Sequence, residues 1–483
     1  MSLINTFKPF YRHIKINNIF SDEVNDSFTK WQQIVSNTKA LPAASEGKLL
    51  FVTGYGLGNY FQAIEPIIMG GMRMNRYDIH TLNCDKSVPA CEFNLVGNNY
   101  PKSRFQDRAG ITKAKVLQKC QFCSNCVQKL HTILPVVNHK LSSYLTDEDY
   151  KLAIVHSDNC TINNFREFKY KNINVGEEAF ASILRATFTG KIEDSSSSRY
   201  LIKRYIISGI LTTIGYTRAF ESIKPKRVIS VHGIYQTHGL AIKVANNLGI
   251  PSIVIGAGGI RRNTAILCHN ETYHLQLVNE SNSYWENTKL TKSQENIVLE
   301  YANKKRTAGS GVDYLNYHPS PISNIDQIID ECKIDNNRKI VTLFTNVAWD
   351  AQIFYKGNAF RDIFHWIEYS INEFSKNEHA WFLIRIHPAE AKGHLPCKQP
   401  MTEEIKKLYP VLPKNVRVIP PQSNICSYEL ANSSTANIIY GTKMGLEIAL
   451  MKRPLIICGE TFSRNKGYGV DINTLDEYSN LIK

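Results

Sequence analysis

The chain has 483 residues, of which 43% are hydrophobic and 21% are charged, and these proportions exclude a disordered or fibrous protein. Its 57 Lys and Arg residues against 43 Asp and Glu residues give a formal charge of +14, so the surface should attract nucleic acid, an anionic membrane or phosphorylated substrates. No apolar run is long enough to cross a bilayer, and residues 1–30 lack the apolar core of a signal peptide. We therefore expect a cytoplasmic protein, either free or peripheral at the inner face of the plasma membrane.

The first half of the chain alternates predicted strands with predicted helices. Residues 1–46 predict a helical arm, and 48–53 predict a buried strand that runs into the glycine-rich segment 54–59 and then a helix. Glycines between a first strand and a first helix let a ligand approach the backbone closely. Further strands are predicted at 77–83, 152–156, 227–232 and 251–255, and further helices at 180–187, 199–222 and 239–248.

The second half repeats this alternation after a polar segment, 323–338, which predicts a hinge. Strands that alternate with helices of this length form a parallel sheet covered on both faces. We therefore predict an α/β protein with two Rossmann-like domains that face each other across a cleft. The predicted strands are 340–346, 381–387, 416–419, 436–440 and 454–458, and the predicted helices are 359–374, 402–408 and 444–451.

These elements divide the chain into four segments. The helical arm covers 1–46, and the first Rossmann-like domain covers 47–325 with a cysteine-rich insertion at 84–131. The second Rossmann-like domain covers 326–460. For the remaining segment, 461–483, a return of the chain to the first domain is one expectation.

Polar residues follow the predicted strands of the second half. Ligands bind beyond the carboxyl ends of strands in open parallel sheets, so these side chains predict a site for a nucleotide and its attached sugar. Arg385 and His387 would neutralise phosphate, and the turn at Gly441 would present helix N–H groups to it. Glu447 would accept hydrogen bonds from a ribose or sugar hydroxyl. The full predicted set is Asn346, Arg385, His387, Ser434, Gly441, Thr442, Glu447 and Glu460.

Three segments of the second half, which contain several of these residues, together resemble a known family. They are Thr345-Asn-Val-Ala-Trp-Asp350, Arg385-Ile-His-Pro-Ala-Glu390 and Tyr440-Gly-Thr-Lys-Met-Gly-Leu-Glu447. The chain resembles bacterial capsule-polysaccharide glycosyltransferases of the two-Rossmann, or GT-B, type. That resemblance implies transfer of a sugar from a nucleotide donor, held by the second half, to a polysaccharide or lipid-linked glycan acceptor, held by the first half.

The identity of the donor nucleotide stays open at this point. The Arg-x-His-Pro motif with nearby serines is similar to transferases that use cytidine-activated sugars, such as Kdo, sialic-acid and polyol-phosphate transferases, and we favour a CMP-activated donor. Glu447 resembles the ribose-binding glutamate of enzymes that use uridine or guanosine donors. A polyol-phosphate transferase or a sugar-nucleotide epimerase of similar fold is the alternative enzyme.

The first half should then supply the acceptor site and, together with Asp350 of the second half, the catalytic groups. Inverting transfer needs a base on the acceptor hydroxyl and stabilisation of the leaving group. The candidates for these catalytic roles are Asp85, His232 and Asp350, and the candidates for acceptor binding are Gly56, Gly58, Asn59 and Arg261. No paired-aspartate motif stands at a strand end, so no catalytic metal is expected.

Five cysteines stand out because of their spacing. Two adjacent CxxC spacings bring thiolates within reach of one metal ion, which favours a structural zinc site, with an iron–sulfur cluster or reduced core thiols as alternatives. A basic strip at 101–130 lies beside them and admits a zinc-containing nucleic-acid-binding protein as a rival hypothesis. That strip contains few aromatic residues, so we expect no nucleic-acid partner. The cysteines are Cys84, Cys91, Cys120, Cys123 and Cys126.

Overall fold

The computed structural model describes residues 33, 42–53, 59–92, 105–106, 112–113, 120, 123–124, 127, 136–257, 265–307, 324–350, 358–392 and 397–483. The chain divides into two compact units. The first unit contains the described residues up to Thr187, together with 192–257 and 265–273, and the second contains 188–191 and the described residues from His274 onward.

The structure describes ten strands in the first unit. They are β1 (Lys48–Val52), β2 (Asp78–Asn83), β3 (Phe105–Gln106), β4 (Thr112–Lys113), β5 (Val137–Lys140), β6 (Lys169–Tyr170), β7 (Ile173–Asn174), β8 (Arg227–Val231), β9 (Ser252–Ala257) and β10 (Ala265–His269). Six of them form one sheet in the order β10-β9-β8-β1-β2-β5, in which β10 runs antiparallel to β9 and every other pair is parallel. Because β1 lies between β8 and β2, the strand order reverses at β1.

A long helix, Ser196–Ile223, forms the centre of the first unit's core. It begins where Ser195 accepts a hydrogen bond from the Ser198 N–H, and it ends where Lys224 adopts a left-handed conformation before Pro225. Its side chains Tyr205 and Ile210 are fully buried. The other helices described in this unit are Asn59–Met74, Asp147–Asp158, Val175–Thr187 and Tyr235–Asn247, with 3-10 turns at Leu141–Tyr144 and Phe165–Glu167.

The strand predicted at 152–156 is wrong, because these residues belong to the helix Asp147–Asp158. The Asp149 carboxylate accepts a hydrogen bond from the Thr146 N–H at 2.7 Å and stabilises the first turn of this helix. Val155 is 66% exposed, so the apolar run does not mark a buried strand. The edge of the sheet is instead β5, which pairs with β2.

The second unit contains a six-stranded sheet in which every pair is parallel. Its strands are β11 (Lys339–Phe344), β12 (Ala380–Arg385), β13 (Val416–Ile419), β14 (Ala436–Ile439), β15 (Leu455–Ile457) and β16 (Val470–Asp471). The order is β13-β12-β11-β14-β15-β16, so the strand order reverses at β11. Each unit thus has a sheet with this reversal, parallel throughout in the second unit and parallel except for β10 in the first, which confirms the prediction of two Rossmann-like α/β units.

Hydrophobic side chains cover both faces of the second sheet. Trp366 is fully buried on one face, and Leu430 is fully buried on the other. Burial of side chains of this size stabilises the fold by roughly 1.5–3 kcal/mol each. The helices described in or leading into this unit are Tyr273–Asn279, Asn282–Glu286, Lys292–Thr307, Ile325–Cys332, Ile363–Phe374, Ala389–Lys392, Met401–Leu408, Ser427–Ser433, Met444–Leu450 and Leu475–Ile482.

Two predicted boundaries of the second domain are wrong. Apart from the segment 188–191, the described part of the unit begins at His274 rather than at residue 326, and the predicted hinge contains the helix Ile325–Cys332. The segment 461–483 belongs to the second unit, because Tyr478 is fully buried in its core and bonds to Ser370 at 2.6 Å.

None of the helices that the structure describes is both long enough and apolar enough to span a membrane.

Candidate functional site

The exit of β11 connects the ends of three neighbouring strands. Thr345 Oγ1 accepts a hydrogen bond from the N–H of His387, which follows β12, at 2.9 Å. Asn346 Oδ1 accepts one from the N–H of Gly441, which follows β14, at 3.1 Å. Both side chains are buried at the point where the strand order reverses, which is where open α/β sheets bind their ligands. The structure therefore brings Asn346, His387 and Gly441 together, as the sequence predicts.

His387 lies at this edge as a neutral ring. Burial, with a smaller contribution from the nearby Arg385 guanidinium, lowers the pKa of His387 to about 4. Its Nδ1 accepts a hydrogen bond from the Ala389 N–H at 3.1 Å, so the ring proton is on Nε2. His387 can therefore donate a hydrogen bond, but at neutral pH it is not the phosphate-neutralising cation that the sequence suggested.

Arg385 has a different role from the predicted one. The side chain is 1% exposed, and its guanidinium donates to the carbonyl oxygens of Pro420, Ser423 and Ile425 at 2.6, 3.2 and 3.3 Å. Its Nε also lies 3.4 Å from Ser427 Oγ. These contacts fix the loop after β13, so the prediction that Arg385 binds phosphate is corrected to a structural role.

The segment from Gly441 to Glu447 forms a turn and the beginning of the helix Met444–Leu450. Thr442 is buried, and its Oγ1 lies 3.4 Å from the Met444 N–H. Lys443 Nζ lies 3.9 Å from Glu447 Oε1, and Glu447 lies at the end of the first turn of the helix with its side chain 12% exposed. This segment thus places a hydroxyl group, an ammonium group and a carboxylate beside the Asn346 contact.

Glu460 follows β15 at the same edge of the sheet. Its Oε2 accepts a hydrogen bond from Asn358 Nδ2 at 2.9 Å and lies 3.7 Å from Arg464 Nε. The side chain is 20% exposed. The Glu460 carboxylate therefore contacts Asn358 and Arg464, and part of the side chain is open to solvent.

Ser434 lies at the opposite edge of the sheet and is not part of this site. It precedes β14, is fully buried, donates to the Leu430 carbonyl at 2.7 Å and contacts Thr342 Oγ1 at 2.7 Å. Residues that precede a parallel strand lie at its amino end, whereas ligands bind at the carboxyl end. The prediction that Ser434 binds the donor is therefore wrong.

In the first unit, His232 follows β8 beside the strand at which the order reverses. His232 and Tyr235 have positive φ angles of 65° and 69°, which are strained for residues with side chains, and such strain is often found at functional sites. Burial, with a smaller effect of the Arg185 charge, lowers the pKa of His232 to about 3. At neutral pH the ring is therefore uncharged and a weak base.

The two aspartates that the sequence predicts as catalytic, Asp85 and Asp350, differ from His232 in their surroundings. Both carboxylate oxygens of Asp85 accept hydrogen bonds from Ser142, from its N–H at 3.0 Å and its hydroxyl at 2.5 Å, so Asp85 fixes the turn Leu141–Tyr144. Asp350 belongs to the second unit and is exposed on the turn after β11. The structure therefore gives Asp85 a structural role, and it places Asp350 in a different unit from Asp85 and His232.

Glu65 is a buried carboxyl group that the sequence analysis missed. It is 2% exposed in the helix Asn59–Met74 and accepts a hydrogen bond from Thr53 Oγ1, at the exit of β1, at 3.1 Å. Burial raises the pKa of Glu65 to about 7, against the opposing effect of the Thr53 hydrogen bond. A single carboxylate within the apolar run 63–68 was the available signal for it.

The cysteines lie partly within the described residues. Burial raises the pKa of the Cys91 thiol, and the charges of Glu92, Cys120, Cys84 and Cys123 raise it further, so these thiols are neighbours. Among the described residues, no group of three or more His, Cys, Asp or Glu side chains has an arrangement that could hold a metal ion. Because Cys126 lies outside that part of the chain, a zinc site or an iron–sulfur cluster stays a prediction.

The predicted acceptor residues stand before or at the beginning of a helix of the first unit, or outside the described residues. Asn59 is the first residue of the helix Asn59–Met74. Gly56, Gly58 and Arg261 lie outside the described residues.

Comparisons with known proteins give weak similarities. No model of a protein family matches the chain, and no curated protein matches it. Solved structures similar to it include Thermosulfurimonas dismutans KpsC, described as a beta Kdo 2,4 transferase, with a TM-score of 0.34 and 14% identity over 52% of this chain and 74% of that one.

Two others are enzymes of different kinds. UDP-GlcNAc 2-epimerase from Neisseria meningitidis, bound to UDP-GlcNAc, has a TM-score of 0.27 and 15% identity over 60% of this chain and 74% of that one. The spinosyn rhamnosyltransferase SpnG has a TM-score of 0.25 and 8% identity over 90% and 89% of the two chains. At these TM-scores the similarities assign no function, and the two-unit α/β fold stands on the strand orders described above.

Proposed function

We propose that the protein is a glycosyltransferase that binds a nucleotide-activated sugar at the carboxyl edge of the second unit's sheet. The sugar would pass to a polysaccharide or lipid-linked glycan acceptor. The observation that carries this proposal is the pair of hydrogen bonds by which Thr345 and Asn346 join the exits of β11, β12 and β14 at the reversal of strand order. Such a pre-formed edge is the usual ligand site of an open α/β sheet.

The groups at this edge suit the parts of a nucleotide-sugar. The Nε2–H of His387 and the hydroxyl of Thr442 are neutral donors for a phosphate oxygen or a nucleobase carbonyl. The carboxylates of Glu447 and Glu460 are acceptors for ribose or sugar hydroxyl groups. The two hydrogen-bond donors, His387 and Thr442, would stabilise the negative charge that develops on the phosphate of the leaving nucleotide.

Of the three catalytic candidates, we retain His232 for the first unit. Asp85 is committed to Ser142, and Asp350 is exposed on a turn of the second unit. The neutral His232 ring can accept a proton from an acceptor hydroxyl if an anionic substrate nearby raises its pKa toward neutrality.

The proposal is tested by the nucleotides that the protein binds. In a thermal-shift panel of CMP, UDP, GDP and AMP, we expect at least one cytidine, uridine or guanosine nucleotide to raise the melting temperature, because a ligand that binds the folded state stabilises it. The resemblance of the Arg-x-His-Pro motif favours CMP. No shift with any nucleotide up to millimolar concentration would contradict the proposal.

The reaction type is tested with the nucleotide-sugar of the base that binds. A glycosyltransferase releases free nucleotide when an acceptor glycan is present, whereas an epimerase converts the nucleotide-sugar into its isomer without an acceptor. Tight oligonucleotide binding with a steep salt dependence, and no nucleotide release, would support the nucleic-acid-binding alternative instead.

A further inference from the structure

The amino edge of the second unit's sheet lies opposite the edge that holds Thr345 and Asn346, and it carries an excess of positive charge. In a parallel sheet each helix runs back from the carboxyl edge, so it ends close to the start of the next strand. Three segments that run from the end of a helix to the start of a strand are 332–339, 375–379 and 405–417, which lead into β11, β12 and β13. We call these three segments the amino-edge surface. Together they contain eight Lys or Arg residues and two Asp or Glu residues, and such an excess attracts an anionic partner.

Hydrogen bonds join the three segments to one another. The side-chain amide of Asn415 donates to the Asn377 carbonyl at 2.9 Å. The guanidinium of Arg417 donates from Nε to the Cys332 carbonyl at 3.0 Å and from Nη1 to the Lys414 carbonyl at 2.8 Å. The cations of the amino-edge surface therefore stand on one connected backbone rather than on three separate loops.

The two arginines of this surface are part of the fold, whereas its lysines point to solvent. Arg338 and Arg417 are half-buried and lie over the ring of Trp381, at 3.9 and 4.7 Å from the ring centroid. Two of the lysines pair with glutamates three residues earlier in the chain. The charge that a partner meets is therefore mainly that of the lysines. The exposed lysines are Lys333, Lys339, Lys376, Lys406, Lys407 and Lys414.

Two apolar side chains stand among these lysines. Val411 is 86% exposed, more than any other large hydrophobic side chain in the described part of the chain, and Leu408 is 48% exposed. The loop that carries them is held in place, because the hydroxyl of Tyr409 donates to the Glu368 carbonyl at 3.1 Å. Exposed apolar side chains surrounded by basic ones suit contact with a lipid surface.

We propose that the amino-edge surface docks on a membrane that contains anionic phospholipids. The lysines lie at the lipid phosphates, and Val411 and Leu408 enter the boundary between the headgroups and the acyl chains. A soluble polyanion would satisfy the lysines but would leave both apolar side chains in water. A nucleic acid would also lack a stacking platform, because the only Phe, Tyr or Trp residue of the three segments, Tyr409, is half-buried.

Flotation of the protein with lipid vesicles tests the role of the charges. We expect binding to vesicles of phosphatidylcholine and phosphatidylglycerol in equal parts, and much weaker binding to phosphatidylcholine alone. The triple variant Lys333→Gln, Lys339→Gln, Lys414→Gln should bind the mixed vesicles about 100-fold more weakly, because each charge near an anionic membrane contributes about fivefold. Failure of the unchanged protein to bind the mixed vesicles would overturn the proposal.

Val411→Ser separates a lipid surface from a soluble polyanion. We expect this variant to bind the mixed vesicles about three- to tenfold more weakly, because an apolar side chain no longer leaves water on docking. Its binding to dextran sulfate, a polyanion without an apolar phase, should equal that of the unchanged protein. If Val411→Ser binds the vesicles as the unchanged protein does, the surface recognises negative charge alone, and docking on lipid is overturned.

The matched control is the triple variant Lys151→Gln, Lys169→Gln, Lys224→Gln, which removes three exposed lysines of the first unit. Lys224 follows a helix in a left-handed conformation, as Lys333 does. This variant should bind the mixed vesicles as the unchanged protein does, and equal losses in the two triple variants would trace binding to the overall charge and overturn the proposal. Unaltered melting temperatures show that each variant is folded. The nucleotide site lies at the opposite edge of the sheet, so failure of this proposal leaves the proposed function as it stands.

Discussion

At the scale of single residues, several ionisable side chains are buried at positions where the sequence pattern does not predict burial. Burial raises the pKa values of Glu65, Glu92 and Glu178 in the first unit to about 7. Thr237 donates a hydrogen bond to Glu92, and Lys243 Nζ lies 2.8 Å from Glu178. Buried carboxyl groups prefer the neutral form, so each of these side chains links the stability of the fold to pH.

Glu65→Gln tests this link at one residue. The folded state holds the Glu65 proton more tightly than the unfolded chain does, because the pKa is raised from 4.5 to about 7. Stability contributed by the neutral carboxyl is therefore lost as pH rises from about 4.5 to about 7. We expect Glu65→Gln to match the unchanged protein near pH 4.5 and to exceed its free energy of unfolding at pH 8 by about 3 kcal/mol at most.

The measurement is urea unfolding followed by circular dichroism at a series of pH values. Glu221→Gln is the control, because Glu221 is exposed near the end of the helix Ser196–Ile223. Parallel pH profiles for Glu65→Gln and the unchanged protein would show that Glu65 does not titrate as its burial implies.

At the scale of elements, a short segment that leaves the first unit's helix Val175–Thr187 packs into the second unit. Phe188 accepts a hydrogen bond from the Lys398 N–H at 3.0 Å, and its ring meets Trp349 edge-on at 5.3 Å. Gly190 donates its N–H to Gln399 Oε1 at 2.9 Å, and Lys191 pairs with Glu404 at 2.9 Å. These contacts make 188–191 an integral part of the second unit rather than a linker.

Gly190→Ala is the sharpest test of this packing. A Cβ atom at this position would lie 2.6 Å from Ala348 Cβ and 2.8 Å from the Phe364 ring, so the neighbours would have to move. We expect the variant to lose roughly 1–3 kcal/mol of unfolding free energy, the usual cost of overpacking. Tryptophan fluorescence during urea unfolding reports this loss, since Trp349 lies beside the segment.

Gly71→Ala is the matched control for the glycine-to-alanine change. Gly71 lies in the helix Asn59–Met74, and a Cβ atom there meets nothing within 4 Å. Alanine should stabilise that helix by roughly 0.5–1 kcal/mol through its higher helix propensity. Equal stability of Gly190→Ala and the unchanged protein would contradict the close packing of 188–191.

At the scale of the whole molecule, the two units have separate hydrophobic cores. One large cluster surrounds the helix Ser196–Ile223 in the first unit, and two clusters cover the faces of the sheet in the second. The tryptophans are distributed unevenly, because the second unit contains Trp285, Trp349, Trp366 and Trp381, and Trp31 is the fifth in the chain. Tryptophan fluorescence therefore reports mainly on the second unit, whereas circular dichroism reports on both.

A nucleotide should stabilise the second unit selectively if the donor site lies there. At a concentration of about 100 times its Kd, the ligand adds about 2.7 kcal/mol to the state that binds it. We expect the unfolding transition seen by tryptophan fluorescence to move upward, while part of the circular dichroism change stays at its original position. An unmoved fluorescence transition, with an upward shift in circular dichroism alone, would place the site in the first unit.

The sequence by itself determined most of the alternation of strands and helices, since apolar runs and glycine turns are local signals, and the exception is the segment 152–156, which is helical. It predicted the exits of β11, β12 and β14 as the site, and the structure joins those exits through Thr345 and Asn346. The tertiary structure decided what each polar side chain does there. Arg385 donates hydrogen bonds to the loop after β13, and Ser434 lies at the opposite edge of the sheet. The sequence did not show this, because burial and the direction of a strand depend on residues distant in the chain.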